Sequence, residues 1–262
     1  MNRLRLLLGT IAVCGAVVTP APAAQPRGTV TVAAASDLQT VLPVLAAAFE
    51  RKTGITAAIT FGSSGNFFAQ IQNGAPFDVF FSADADYPRR LATSGHVDPA
   101  TVYEYATGRL VIWTRGDGGV DIGSGLQSLQ QGRIKRIAIA NPATAPYGRA
   151  AVAALQSAGV YEAVRPKLVF AENLAQAAQL AESGNADVAL IGHALAADRR
   201  LKSVGHFVDV PARAHPPIVQ AVAIVSSARN ATQARALLDY VKGGEARAIF
   251  QSFGFEVPAS GR

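Results

Sequence analysis

Four short segments combine small residues, hydroxyls or amides, and the signs of a helix start. They are Ala33-Ala34-Ala35-Ser36-Asp37-Leu38, Phe61-Gly62-Ser63-Ser64-Gly65, Asn141-Pro142-Ala143-Thr144-Ala145-Pro146-Tyr147-Gly148 and Ala171-Glu172-Asn173-Leu174. The first turn of a helix carries N–H groups with no intrahelical acceptor, at the positive end of the helix dipole. Several such turns converging on one point bind an anion without any formal cation. Neutral donors give a buried oxyanion a shell of hydrogen bonds and create no obligatory ion pair. One serine at a helix start is usually only an N-cap. The pair Ser36 and Ser64, facing two comparable junctions, is what points to a ligand.

Other chemistries find less support. The four histidines, His96, His193, His206 and His215, show no H-x-x-x-H or H-E-x-x-H spacing, so no zinc site is expected. Gly62-Ser63-Ser64-Gly65 is not the G-x-S-x-G nucleophile elbow, and no G-x-x-x-x-G-K phosphate loop occurs. Asp78, Asp84 and Asp86 lack a glycine-containing calcium loop and read as turn and helix-start acids. A hydrolase built on Ser36 or Ser64 needs a histidine base within reach. His193 is the near candidate, and no orienting acid is evident. The expectation is a binding protein, not an enzyme, with no cofactor.

The elements that must position these junctions alternate between strand and helix, the pattern of a parallel α/β architecture. Thr29–Ala34, Ile55–Phe61 and Asp78–Ser82 read as strands. A helix capped by Ser36 or Asp37 carries Leu38, Val41, Leu42, Leu45 and Phe49, and Gly54 stops it. Helices over 64–73 and 86–93 follow. The pattern restarts with strands at 109–114, 134–140, 167–171 and 188–191 and helices at 147–157 and 173–182. A last strand at 218–225 precedes helices at 232–241 and 245–253. No long linker separates the halves, so the chain is expected to cross between two lobes near 102–108 and to return near 208–217. In parallel sheets the helix starts gather at the carboxyl edge, where ligands bind.

The first residues fit a secretory leader. Arg3 and Arg5 precede an apolar run from Leu6 to Val18, and Pro20-Ala21-Pro22-Ala23-Ala24 supplies a small-residue cleavage site. The run is too short to span a bilayer. A lipoprotein signal at Cys14 fits poorly, because Val13 precedes it. Cleavage after Ala23 or Ala24 removes residues 1–24 and with them the only cysteine, so the core must carry stability without disulfides. Two of the charges behind the net +6 belong to that leader. Lys and Arg are otherwise scattered with no long basic run, which argues against a nucleic-acid partner.

Blocks along almost the whole mature chain resemble the periplasmic molybdate-binding proteins, within the type II solute-binding fold. They are TVTVAAASDL (29–38), FGSSGNFFAQIQNGAPFDVFFSAD (61–84), NPATAPYGRAA (141–151), AENLAQA (171–177) and DYVKGGEARAIFQSFGF (239–255). The resemblance implies a two-lobed α/β fold, each lobe a mostly parallel sheet flanked by helices, with the ligand in the interlobe cleft. The C-terminal helices then complete the first lobe, which takes residues 25–106 and 212–262, with 107–211 as the second. The resemblance also implies serine hydroxyl donors at Ser36 and Ser64, with Ser63 as an adjacent candidate. Backbone donors from the other lobe fall at Tyr147 and Leu174. The implied function is a monomeric periplasmic component of an ABC importer that delivers molybdate or tungstate to an inner-membrane permease. The alternative is another tetrahedral oxyanion such as sulfate or phosphate. A phosphate site often needs an acceptor for the ligand's proton, and none of these donor residues is a carboxylate. One departure stands out. Many members carry a tyrosine near the end of the strand that here reads Val188-Ala189-Leu190-Ile191-Gly192-His193, and Gly192 aligns with it. Since serines and amides do not titrate near neutrality, affinity is expected to be flat over about pH 6–8 unless His193 takes that place.

Overall fold

The computed structural model describes residues 28–258. The expected leader at 1–24, with Cys14, lies outside the described residues. Ten strands form two five-stranded sheets. In the first sheet the order is β2 (Ile55–Gly62), β1 (Gly28–Ala35), β3 (Val79–Ser82), β10 (Ile218–Ile224), β4 (Tyr103–Gly108). In the second it is β7 (Leu168–Ala171), β6 (Ile137–Ala140), β8 (Val188–Gly192), β5 (Leu110–Arg115), β9 (Gly205–Asp209). Each sheet has three parallel strands at one side and two antiparallel pairings at the other. The chain leaves the first sheet between Gly108 and Leu110 and returns between Asp209 and Ile218.

Helices cover both sheets. They are α1 (Leu42–Thr53), α2 (Ser64–Gln72), α3 (Asp86–Thr93), α4 (Pro146–Ser157), α5 (Tyr161–Val164), α6 (Leu174–Glu182), α7 (His193–Ala196), α8 (Arg199–Val204), α9 (Ala231–Lys242) and α10 (Gly244–Ser252). Local rules set their ends. Gly54 closes α1 at φ 72° and returns its N–H to the Glu50 carbonyl at 2.8 Å, a left-handed position that glycine takes without strain. Pro146 opens α4, where its missing N–H costs nothing. Asn173 caps α6 by accepting the Gln176 N–H at 3.1 Å.

The central strands are apolar on both faces, as sheets covered on two sides require. Leu38, Leu42, Leu45 and Phe49 pack with Tyr105 and Phe250 on one face of the first sheet. Phe67, Ile71, Phe80 and Leu91 fill the other. Trp113, Val111, Ile139 and Leu190 anchor the second sheet. Neither serine nor aspartate caps α1 as expected. Ser36–Leu38 forms a separate 3-10 turn with no side-chain cap, and α1 begins only at Leu42. The reason is that Asp37 is turned inward, where its carboxylate takes a hydrogen bond from Gln220. Strands β4 and β9 carry little sequence signal, because Tyr103–Gly108 ends in Thr-Gly and Gly205–Asp209 follows a polar run, and the stretch expected to cross between lobes near 102–108 is β4 of the first sheet.

Asp78 ties the first sheet together. Its carboxylate accepts the Thr31 N–H and hydroxyl, each at 2.8 Å, and the Asn230 N–H and side-chain amide, each at 3.0 Å. Burial pushes its pKa up, but the hydrogen bonds from Thr31 and Asn230 outweigh that and hold it below the ordinary 3.8. Hydrogen bonds to a charged group are strong. Asp78→Ala is therefore expected to lower the unfolding free energy by about 3 kcal/mol at neutral pH. A depressed carboxyl pKa stabilises above the unfolded value and stops doing so as pH falls through the folded value. The gap between variant and wild type should thus narrow in acid below 3.8. Denaturant unfolding across that range checks it, and a gap independent of pH would count against an ionised Asp78.

Candidate oxyanion site

Five of the six parallel strands, β1, β2, β3, β6 and β7, end at the junction between the sheets, and the residues at or just after their ends line one small cavity. Ala35, Ser36, Asp37, Gly62, Ser63, Ser64 and Ala83 come from the first sheet's side. Ala145, Pro146, Tyr147 and Leu174 come from the other. All five sequence-derived candidates, Ser36, Ser63, Ser64, Tyr147 and Leu174, are therefore brought together. Each is at most 3% exposed. About 10 Å³ of room remains, on the order of one water. No lysine or arginine lines it.

The hydrogen bonds show how each group is held. Ser63 is the N-cap of α2, its hydroxyl oxygen accepting the Asn66 N–H at 3.3 Å. The Ser64 oxygen accepts the Ala83 N–H at 3.0 Å, which leaves its hydrogen to point elsewhere. The Ser36 oxygen accepts the Leu174 N–H at 3.0 Å and the Ala175 N–H at 3.4 Å. Donors from the two halves thus pair directly across the cavity, and an oxyanion entering between them must part Ser36 from Leu174. Tyr147 lies in the first turn of α4, ahead of the i→i−4 ladder, so its amide has no acceptor within the helix.

Two further contacts clasp the halves. The Gly65 N–H donates to the Thr144 carbonyl at 2.8 Å, and a Cβ on Gly65 would sit 2.6 Å from that oxygen. Arg149 on α4 pairs with Asp84 and donates to the Tyr87 hydroxyl at 3.1 Å. Asp84 also accepts the Asp86 N–H at 2.9 Å as a turn acid should, and its cross-sheet role was not legible beforehand.

His193 is not at the cavity. Its Nδ1 lies 3.4 Å from an Asp209 oxygen and its ring packs edge-on against Phe207. The space beside Gly192 is filled by another residue. A Cβ on Gly192 would meet the Tyr147 ring and the Leu174 side chain, each at 3.3 Å. The tyrosine absent from the end of β8 is thus matched by a ring that arrives from α4. Its hydroxyl passes over Gly108, where any Cβ would collide with it.

That hydroxyl belongs to a buried polar cluster which sequence reasoning missed. The Gln220 amide donates to the Asp37 carboxylate at 2.5 Å and reaches the Tyr147 oxygen at 3.3 Å. The Tyr105 hydroxyl donates to the Gln220 carbonyl oxygen at 2.6 Å. Asp37 is 1% exposed, and its Oδ1 has no hydrogen-bond partner. Desolvation pushes its pKa up to about 6, and hydrogen bonds from Gln220 and Tyr147 pull it back only in part. Burial, and then the Asp37 charge, raise both tyrosines well above their usual value, so they stay neutral donors. The available signal was position, since Asp37 follows Ser36 in a junction already singled out.

Among the described residues, no three His, Cys, Asp or Glu side chains gather into a metal site. Known proteins share this fold. Residues 30–256 match the family model described as bacterial extracellular solute-binding protein. The molybdate-binding protein ModA of Azotobacter vinelandii is 35% identical over 255 residues, covering 97% of each chain. ModA of Rhodobacter capsulatus is 35% identical over 228 residues, 87% of this chain and 88% of its own. The solved periplasmic molybdate-binding protein of Azotobacter vinelandii superposes with a TM-score of 0.83 at 34% identity, over 88% of this chain and all of the other. Two five-stranded sheets with a small-donor cavity between them and a family match over almost the whole described chain lead to one assignment: this chain belongs to the bacterial extracellular solute-binding proteins.

Proposed function

We propose that this chain is the periplasmic substrate-binding component of an ABC importer and takes molybdate or tungstate in the cavity between its lobes. The observation that carries the reading is the meeting of the Ser36 and Ser64 hydroxyls with the first-turn amides of Tyr147 and Leu174 in one buried space with no cation. Such donors favour an oxyanion that stays fully charged. Relatives at 35% identity are named molybdate-binding, which supports the same ligand. Ser63, occupied as a helix cap, is the weaker donor. No catalysis and no cofactor enter this reading: His193, the histidine nearest to the serines in the sequence reading, is engaged with Asp209 instead.

The lobes divide near 25–106 with 212–262 and 107–211, with β4 continuing in the first sheet to Gly108. The protein works as a monomer, and its closed form is presented to an inner-membrane permease. A second reading, hydrogen phosphate as ligand, draws on Asp37, whose carboxylate offers the acceptor that a protonated anion needs. Titration calorimetry of the mature protein with molybdate, tungstate, sulfate and phosphate tests both. Molybdate and tungstate should bind about 100-fold more tightly than sulfate, or better, because rigid helix-end donors discriminate by size. Sulfate binding of equal strength would overturn the assignment.

A further inference from the structure

Asp37 has no role in a site built only of neutral donors. A carboxylate beside a bound dianion is repelled by it, and the repulsion is large where water is excluded. Yet Asp37 lines the cavity together with Ser36, Ser64, Tyr147 and Leu174. One of its oxygens is engaged by Gln220. The other, Oδ1, is buried and has no hydrogen-bond partner of its own among the described residues, and the nearby Tyr147 hydroxyl eases the carboxylate's charge only in part. An orphaned buried oxygen in a cavity wall is costly as an ion and inexpensive as an acid that has something to donate to.

Resting on the oxyanion reading above, we infer that Asp37 is a further side-chain donor to the ligand: in the bound state its carboxyl is the neutral acid, and one proton enters the site with each dianion. The proton comes from solvent and settles on Asp37, and Oδ1–H donates to a ligand oxygen. The Gln220 amide continues to donate to Oδ2, and the oxyanion itself stays unprotonated.

The surroundings favour that state. Gln220 on β10, Tyr105 on β4 and Tyr147 on α4 face the carboxyl, and all three are uncharged. From α7, which packs against the 3-10 turn holding Asp37, His193 turns to Asp209. From α6 the charged residue is Glu182, paired with Arg200. From β2 no residue is charged. No cation therefore faces Asp37 to hold it ionised, and burial already lifts its pKa to about 6. A dianion alongside raises it further.

The sign follows from linkage. Below about 6 the free protein already carries the proton, and affinity is flat. Between that value and the higher one of the complex, each ligand bound takes up close to one proton, and affinity falls up to tenfold per pH unit. Hydrogen phosphate brings its own proton and can donate it to an ionised Asp37, so its binding would take up none.

The experiment is calorimetric titration with molybdate from about pH 6 to 9, in buffers of different ionisation enthalpy. Wild type and Asp37→Asn are compared, with phosphate as a second ligand. Proton uptake approaching one per molybdate above pH 6, absent in Asp37→Asn, is the expected result. The asparagine amide donates at every pH, so that variant should also bind molybdate more tightly than wild type at the alkaline end. Molybdate binding by wild type without proton uptake overturns the inference and leaves the oxyanion reading standing. Uptake that persists in Asp37→Asn overturns it too and assigns the proton elsewhere. Phosphate binding without uptake, alongside absent molybdate binding, removes the molybdate reading and with it the neutral-acid role.

Discussion

Gly65→Val should reduce molybdate affinity by about 100-fold or more while leaving the protein folded. Gly65 sits in the first turn of α2 with a helical backbone, and its φ is not positive. A side chain is therefore conformationally acceptable there, and valine is a better helix former than glycine. What glycine provides is approach. A Cβ at this position would stand 2.6 Å from the Thr144 carbonyl oxygen and 2.9 Å from its Cα, both main-chain atoms of the opposite lobe. Neither can swing aside, and the Gly65 N–H bond to Thr144 would be lost as well. The added volume acts as a wedge that penalises the closed form, and the other close atom, the Tyr87 hydroxyl of its own lobe at 2.9 Å, lies at the far end of a side chain. Because donors come from both lobes, a site held open keeps only half of them, and apparent affinity falls with the closed fraction. Calorimetry reads the loss. Small-angle scattering should show the variant equally extended with and without ligand, whereas wild type contracts. Gly65→Ala should give an intermediate loss. Wild-type affinity in Gly65→Val would mean that the lobes do not close along this contact.

The strand-helix alternation and the four strand-to-helix junctions that meet at the cavity are legible in the sequence because they rest on local physics. Apolar runs stopped by glycines mark the elements, and Pro146 and Asn173 mark helix starts within one residue of where α4 and α6 begin. Parallel topology then forces those starts to one edge. What escaped depends on long-range pairing. Asp37 looks like an N-cap beside Ser36, and only the arrival of Gln220 from a strand 183 residues away turns it inward. Asp84 reads as a turn acid until Arg149 reaches it from the other lobe. The tyrosine missing at Gly192 was visible as a gap. That Tyr147 fills it could not be seen, since it requires knowing that α4 and the end of β8 are neighbours. The expectation of pH-independent binding counts the serines and amides and leaves out the acid next to them.

Ser36→Ala combined with Ser64→Ala should weaken molybdate binding by about 3–6 kcal/mol, two to four decades in Kd, from about 1.5–3 kcal/mol for each hydrogen bond to a charged ligand. The two singles are not equivalent. In the free protein the Ser36 oxygen accepts the Leu174 N–H, a bond that ligand must break. Removing the hydroxyl deletes both a ligand donor and that competitor, so Ser36→Ala belongs at the low end of the range. Ser64 has no such competitor across the cavity. Its oxygen is held by the Ala83 N–H within its own lobe, which orients the hydrogen before ligand arrives, so Ser64→Ala belongs at the high end. The same bond makes Ser64→Ala costly for folding, because it leaves the buried Ala83 N–H unpaired, about 1–3 kcal/mol. Stability and binding must therefore be separated. Ser63→Ala provides the contrast. It also destabilises, by about 0.5–2 kcal/mol through loss of the α2 cap, but its hydroxyl is the lesser donor, so its Kd should move less than that of Ser64→Ala. Calorimetry well below each variant's melting temperature reads all four proteins. A double variant within tenfold of wild-type Kd would show that the backbone amides carry the ligand alone.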